Sequence, residues 1–174
     1  MFDKLIDLFI QVWHHLVPFA IVNQYEEGVR LRLGKLHNKT LQPGFHWKIP
    51  FVDVLLTTIV TNDTMDIKPI NITTIDNKTI TVGAVIEFSI TDIVKYIVDT
   101  NEARSNTHDI CRGLMADYLQ DCTWDQCKDK KTIRTITRLL TKKCEQMGIS
   151  LTGLTFTELS LSRAFRLFGD KHLN

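Results

Sequence analysis

The hydrophobic pattern of this chain changes its period near Asp92, and that change constrains the fold more than any other feature. Before it, apolar residues occupy alternate positions over residues 79–84, which is typical of a strand with one buried face. After it, Ile133, Ile136 and Leu140 recur at the spacing of an amphipathic helix. Alternation returns at residues 149–162. Strands followed by helices and then by a further strand predict an α+β fold.

Turn-forming residues divide the strand-rich first half. We predict turns at Glu27-Gly28 and Asp76-Asn77 and a loop over residues 37–44, because Gly, Asn and Asp favour the conformations of turns. Pro50, which lacks a backbone donor, is expected to separate two strands. The residues assigned a turn or structural role are Gly28, Gly34, Pro43, Gly44 and Pro50.

Helical segments follow in the second half. The pattern predicts a helix over residues 101–121. Thr123 and Gln126 have the spacing of a capping box, which predicts the start of a further helix. Gly148 is suited to close the last helix of the series. The buried face of the helix over residues 101–121 is expected to consist of Ile110, Leu114, Tyr118 and Leu119.

Residues 2–17 separate completely into a polar and an apolar face on a helical wheel, and Pro18 is expected to end the helix. The segment lacks the basic start of a signal peptide, and its apolar runs are too short for a transmembrane helix. Two roles stay open: the apolar face lies in a membrane interface, or it packs against the domain or a neighbouring subunit. The contact residues expected on this face are Phe2, Leu5, Ile6, Phe9, Val12, Trp13 and Leu16.

Residues 42–53, which read QPGFHWKIPFVD, combine turn residues with several aromatic side chains. In a strand, alternate positions would direct Phe45, Trp47 and Ile49 to one face. Aromatic residues favour a membrane boundary, but the same face could pack on a neighbouring subunit or form the core of its own sheet. All three surroundings stay open for these residues and for Phe51.

The charge balance and the motifs argue against several classes of function. Lys and Arg number 21 and Asp and Glu 20, a net charge of +1 that lacks the basic excess of nucleic-acid-binding proteins. The sequence has no phosphate-binding loop, dinucleotide fingerprint, nucleophile elbow or metal-spaced histidine cluster. The four cysteines lack zinc and redox spacings, which predicts free thiols in a reducing compartment. We therefore expect no catalytic residue, metal site, cofactor or small-molecule substrate.

Six short motifs occur together in the order and spacing of a known family. In these motifs residues 20–162 resemble the SPFH family of stomatins, prohibitins, flotillins and their bacterial relatives. The motifs are Glu27-Gly28-Val29, Arg32-Leu33-Gly34-Lys35, Pro43-Gly44-Phe45-His46 with Ile49-Pro50-Phe51-Val52-Asp53, Asp76-Asn77 with Thr81-Val82, Ala84-Val85-Ile86 with Ile90-Thr91-Asp92, and Gly148-Ile149.

The resemblance implies two small subdomains, of which the first is mainly strands and lies against the membrane. It also implies assembly into rings or cages that organise membrane microdomains, around a membrane protease or channel, without catalysis. The chain departs from the family pattern in two ways. Residues 162–174 supply only the stub of the family's long coiled-coil helix, and the N-terminal segment is amphipathic where many members carry a membrane-spanning anchor.

The combined prediction has four parts: an amphipathic helix (1–18), a strand-rich first subdomain (19–70), an α+β second subdomain (71–162) and a short basic and aromatic tail (163–174). The predicted function is a non-enzymatic, membrane-associated scaffold that forms a homo-oligomeric ring or cage. Its expected partners are membrane lipid, further copies of itself and a client membrane protein, with no nucleic acid. We expect peripheral or monotopic attachment in a reducing compartment, such as the cytoplasmic face of a membrane.

Two alternatives complete the set of hypotheses. The first is a soluble ring-forming structural protein that uses the apolar helix face for subunit contacts. The second is an enzyme with a cysteine nucleophile, which would need a positioned base.

Overall fold

The computed structural model describes residues 18–162. The predicted N-terminal helix, with its contact residues from Phe2 to Leu16, and the tail from residue 163 lie outside this range. The described strands are β1 (Phe19–Val22), β2 (Glu26–Arg32), β3 (Lys35–Leu41), β4 (Gly44–Trp47), β5 (Asp53–Ile59), β6 (Asp63–Thr73), β7 (Thr79–Ile90) and β8 (Ile149–Leu161). The described α-helices are α1 (Ala103–Gln120), α2 (Trp124–Cys127) and α3 (Lys130–Cys144).

The order of these elements confirms the predicted α+β class. The strands pair into antiparallel sheets with the orders β1-β4, β3-β2-β5 and β6-β7-β8. A short π-helical turn (Lys95–Asp99) leads from β7 towards α1, and a 3₁₀ turn (Glu145–Met147) leads from α3 into β8. The predicted division between residues 70 and 71 falls within β6, and the subdomain boundaries stay a prediction.

The core of the described chain lies between the β6-β7-β8 sheet and the helices. Ile80, Val82 and Ala84 on β7 are fully buried, as their alternation predicts. Helix α1 packs against β6, and α3 packs against β8 and α1. This arrangement leaves the face of α3 opposite its buried row exposed to solvent.

Most residues predicted for the buried face of α1 lie one position before the residues that are in fact buried. The residues in the core are spaced by four, and Ile110, Leu114 and Tyr118 flank them as half-buried side chains. The pattern was misleading because Thr107 lies in the buried row, where its hydroxyl donates to the carbonyl of Ala103 at 2.8 Å. The buried row consists of Ala103, Thr107, Cys111, Met115 and Leu119.

Two predictions about the first half were wrong. Gly28 lies inside β2, where it pairs with Leu41 on one side and Thr57 on the other, so the expected turn at Glu27-Gly28 does not exist. The turn between β1 and β2 lies instead at Gln24-Tyr25, where the N–H of Glu26 donates to the carbonyl of Asn23 at 3.0 Å. Most of the expected loop over residues 37–44 is strand β3, an edge strand whose polar sequence resembles that of a loop.

Three turn and cap predictions are confirmed. Asn77, with a φ of 56°, lies in the turn between β6 and β7, and its N–H donates to the carbonyl of Thr74 at 3.0 Å. Thr123 and Gln126 form both hydrogen bonds of the predicted capping box at α2. Gly148, with a φ of 75°, ends the 3₁₀ turn, and its carbonyl accepts hydrogen bonds from the backbone of Thr91 at 2.9 Å and Asp92 at 3.1 Å.

Candidate interaction surface

Strands β1 and β4 form a two-stranded ribbon with one aromatic face. Phe19 lies opposite Trp47 in the register, and Ile21 lies opposite Phe45. Directly opposed residues share a face of the sheet, so the four side chains lie together. The rings of Phe19 and Phe45 stack with centroids 5.5 Å apart, and Trp47 meets Phe45 edge to face at 5.4 Å. We call these four residues the aromatic face.

The aromatic face is exposed. Relative exposure is 43% for Phe19, 66% for Ile21, 55% for Phe45 and 65% for Trp47. These side chains are therefore no part of the core that residues 18–162 form among themselves. The opposite face of the ribbon contains Val22, which is buried. The ribbon thus buries Val22 on one face and has one aromatic face that the described residues leave uncovered.

The loop between β4 and β5 continues the apolar surface. Ile49 is 49% exposed and Phe51 77% exposed. Leu33, at the tip of the β2–β3 hairpin, is also 77% exposed, and its N–H donates to the carbonyl of Val52 at 2.9 Å. We call Leu33, Ile49 and Phe51 the apolar tips. The hydrogen bond between Leu33 and Val52 holds the two tip segments side by side.

Asp53 fixes the base of this loop. Its carboxylate accepts two hydrogen bonds from the guanidinium of Arg32, from Nε at 2.7 Å and from Nη2 at 3.1 Å, and a third from the backbone N–H of Ile49 at 3.0 Å. The Asp53 side chain is almost completely buried. The hydrogen bond from Arg32, followed by that from Ile49, holds the pKa of the Asp53 carboxyl far below its usual range. Asp53 is therefore a charged anchor that sets the path of residues 49–53.

The sequence indicated only part of this surface. Phe45, Trp47, Ile49 and Phe51 were singled out as contact residues, and their contact with lipid or a subunit stays a prediction. Phe19 and Ile21 were missed, although their spacing of two residues was a signal. Leu33 was not among the predicted contact residues, and the anchoring role of Asp53 had no sequence signal. The predicted structural residues Pro43 and Pro50 lie in the loops that flank β4, and Gly44 is the first residue of that strand.

The described residues contain no metal-binding cluster, and all their cysteines are buried. Between residues 18 and 162 no group of three or more His, Cys, Asp or Glu side chains is placed to hold a metal ion. The four cysteines are free thiols, as predicted, and all four are buried. Burial raises the pKa of Cys111 to about 12 and those of Cys127 and Cys144 to about 11. A thiol with a raised pKa is a poor nucleophile because little thiolate is present near neutral pH.

These thiols give a direct chemical prediction. At pH 7.5 the folded protein should react slowly with a thiol-specific reagent, whereas the chain unfolded in guanidinium should label all four cysteines rapidly. Mass spectrometry of samples quenched at short times measures the difference, and the unfolded chain is the internal control. One rapidly labelled cysteine in the folded protein would contradict the burial of all four thiols and would support the hypothesis of a cysteine nucleophile.

No helix between residues 18 and 162 combines the length and apolar character needed to cross a bilayer.

Comparison with known proteins places the chain in a wider context. Residues 20–166 match the model of the SPFH domain / Band 7 family. An uncharacterized protein of Methanocaldococcus jannaschii is 26% identical over 142 residues, which cover 80% of this chain and 71% of that protein. Mouse stomatin-like protein 3 is 25% identical over 155 residues, covering 87% of this chain and 53% of that protein. The modulator of FtsH protease HflC of Escherichia coli is 33% identical over 86 residues, covering 46% of this chain and 26% of that protein. The chain therefore spans about half of the stomatin relative and a smaller part of HflC.

Proposed function

Because the chain belongs to the SPFH domain / Band 7 family, we propose that it is a non-enzymatic scaffold on a membrane. In this proposal it assembles into a homo-oligomeric ring or cage and organises a membrane patch or a client membrane protein. The observation that carries the membrane part is the exposed aromatic face of Phe19, Ile21, Phe45 and Trp47, with the apolar tips Leu33, Ile49 and Phe51.

The chemistry of this surface suits a lipid boundary. A soluble protein gains free energy by burying large apolar side chains, and exposed groups of them mark contact sites. Phe side chains can enter the acyl boundary, and the indole of Trp47 adds an N–H donor that suits the headgroup level. The aromatic face and the apolar tips would then lie in the membrane interface, together with the apolar face predicted for residues 2–17.

The proposed client rests on similarity alone. The HflC relative is a modulator of FtsH protease, and it shares 86 aligned residues with this chain. We propose by analogy that the assembled scaffold surrounds or restrains a client protein in the membrane, and that a protease is one candidate client.

Vesicle binding tests the membrane part. The substitution pair Phe45→Ser/Trp47→Ser should lower the partition of the full chain onto phosphatidylcholine vesicles by about tenfold or more. A fully buried large apolar side chain contributes about 1.5–3 kcal/mol, and even half of this for two residues exceeds the energy of a tenfold change. Co-sedimentation at increasing lipid concentration measures the partition. The pair Phe9→Ser/Trp13→Ser tests the predicted N-terminal face in the same assay.

The matched control is Ile75→Ser/Val98→Ser, which removes two apolar side chains of similar exposure (65% and 41%) from the second subdomain. This control should bind vesicles like the unmodified chain. If Phe45→Ser/Trp47→Ser binds vesicles normally but sediments as a smaller particle without lipid, the aromatic face is a subunit contact. That result would replace the membrane proposal for this face with the soluble ring-forming alternative.

A further inference from the structure

Helix α3 carries an uncompensated positive charge. Its 15 residues contain no Asp or Glu. Every one of its basic side chains is exposed, and within residues 18–162 none of them takes part in an ion pair. The whole chain has a net charge of only +1, so this concentration of one sign is a local feature. The basic residues are Lys130, Lys131, Arg134, Arg138, Lys142 and Lys143.

Four of these cations form a row. Lys130, Arg134, Arg138 and Lys142 follow one another at four-residue spacing, which places them on one side of the helix over about 18 Å. The row lies opposite the buried side of α3, which includes Ile136 and Leu140. We call it the basic row.

The basic row is unfavourable for the isolated domain. Like charges at i and i+4 destabilise a helix, and the row contains three such neighbouring pairs. Lys130 also lies in the first turn, where the helix dipole disfavours a positive charge. Only Lys142, in the last turn, has a local explanation, because the dipole favours a cation there. An anionic partner would remove these costs.

The same chain offers a complementary acidic surface. Asp117 and Asp121, at the C-terminal end of α1, are exposed and form no ion pair within the described residues. Asp125 and Asp129 follow at the same spacing, but Lys128 pairs with Asp125 at 3.1 Å and Asp129 caps α3. We call Asp117 and Asp121 the acidic end of α1.

We propose that the basic row of one copy binds the acidic end of α1 in a second copy. A two-fold contact that placed the basic row against itself would bring like charges together, so the basic row has to face the acidic end of α1. The ring in the proposed function requires this contact to be head-to-tail, which leaves one free surface at each end and closes into a ring when the rotation permits. This inference rests on the self-assembly in the proposed function and specifies its interface. A nucleic acid is disfavoured because the nearby carboxylates would repel phosphate.

Paired neutralising variants test the contact. The full chain is studied by sedimentation velocity in neutral detergent micelles, at low and at high salt, so that apolar association is suppressed. We expect self-association to weaken by about tenfold or more in each of two variants, Arg134→Gln/Arg138→Gln and Asp117→Asn/Asp121→Asn. High salt should weaken the self-association of the unmodified chain to a similar extent. Lys35→Gln/Lys68→Gln is the matched control, because both lysines are exposed and outside any ion pair among residues 18–162. This control should assemble normally.

Mixing the two neutralised variants tests directly whether the two surfaces bind each other. Each neutralised variant keeps one intact surface, so an equimolar mixture should form a heterodimer and stop there. The fourfold charge exchange Arg134→Glu/Arg138→Glu/Asp117→Lys/Asp121→Lys should restore assembly in a single chain. Formation of the heterodimer also shows that both neutralised variants fold, because each must present its intact surface.

Three results would overturn the proposal. The first is an unmodified chain that stays monomeric, and the second is unchanged assembly of both neutralised variants. The third is a fourfold exchange variant that is folded by circular dichroism but does not assemble.

If Arg134→Gln/Arg138→Gln leaves assembly intact but lowers binding to vesicles containing phosphatidylserine, the basic row faces an anionic membrane instead. Membrane binding is measured separately on phosphatidylcholine vesicles. Loss of that binding with intact salt-sensitive assembly would overturn the membrane function but not this interface.

Discussion

Replacing Gly148 by alanine should lower the free energy of unfolding by about 2–5 kcal/mol. The backbone of Gly148 has a φ of 75°, where a side chain costs about 1–2 kcal/mol. A Cβ at this position would also come closer than 3.0 Å to the carbonyl oxygen of Asp92, which would push apart the segment after β7 and the start of β8. Urea unfolding followed by circular dichroism measures the change.

Gly34→Ala isolates the cost of the backbone conformation. Gly34 has nearly the same φ, 77°, but nothing lies within 4 Å of a Cβ built there. This control should lose only about 1–2 kcal/mol, the conformational part alone. If the two alanine variants lose equal stability, the close approach of Gly148 to Asp92 contributes nothing and the explanation is wrong.

Asp53→Asn should cause the second large loss, and its size should depend on pH. The substitution removes the charge that holds Arg32 and weakens the acceptor for the N–H of Ile49. The folded state lowers the pKa of Asp53 below that of the unfolded chain, about 4. The carboxylate therefore stabilises the fold fully above about pH 5, and this contribution is lost as the pH falls below about 4.

Urea unfolding of both chains between pH 3 and pH 7 tests this dependence. The stability difference between the unmodified chain and Asp53→Asn should be largest near neutral pH and should shrink steadily under acid conditions. Asp63→Asn is the control, because the ion pair of Asp63 with Arg104 is about half exposed and such pairs contribute little. A difference that stays constant from pH 3 to pH 7 would contradict a charged Asp53 in the folded protein.

The sequence predicted the features that depend on local pattern. Alternation identified the buried face of β7, and the capping box at Thr123 identified the start of α2 because both hydrogen bonds form within four residues. The helix over residues 101–121 was predicted, but not its buried row, because that row contains the polar residue Thr107. Strand β3 was missed because the four residues between Leu36 and Leu41 are all polar.

Features that depend on strand register were beyond a single sequence. Arg32 and Asp53 lie opposite each other in the β2–β5 pair, 21 residues apart along the chain. The aromatic face was half predicted for the same reason: Phe45 and Trp47 stood out in one loop, whereas Phe19 and Ile21 join them only through the β1–β4 pairing. A register one residue different would have turned these side chains to the opposite face.

The backbone conformation of two apolar tips, Leu33 and Phe51, lowers the stability of this domain. Leu33 has a φ of 50° and Phe51 a φ of 64°, conformations in which glycine or asparagine would be less strained. Both side chains are 77% exposed, so burial within the fold offsets little of that strain. The free chain is therefore less stable than its topology allows, and the deficit is concentrated in the residues proposed to meet lipid. In the proposed function, stability and attachment to the membrane therefore compete at these two positions.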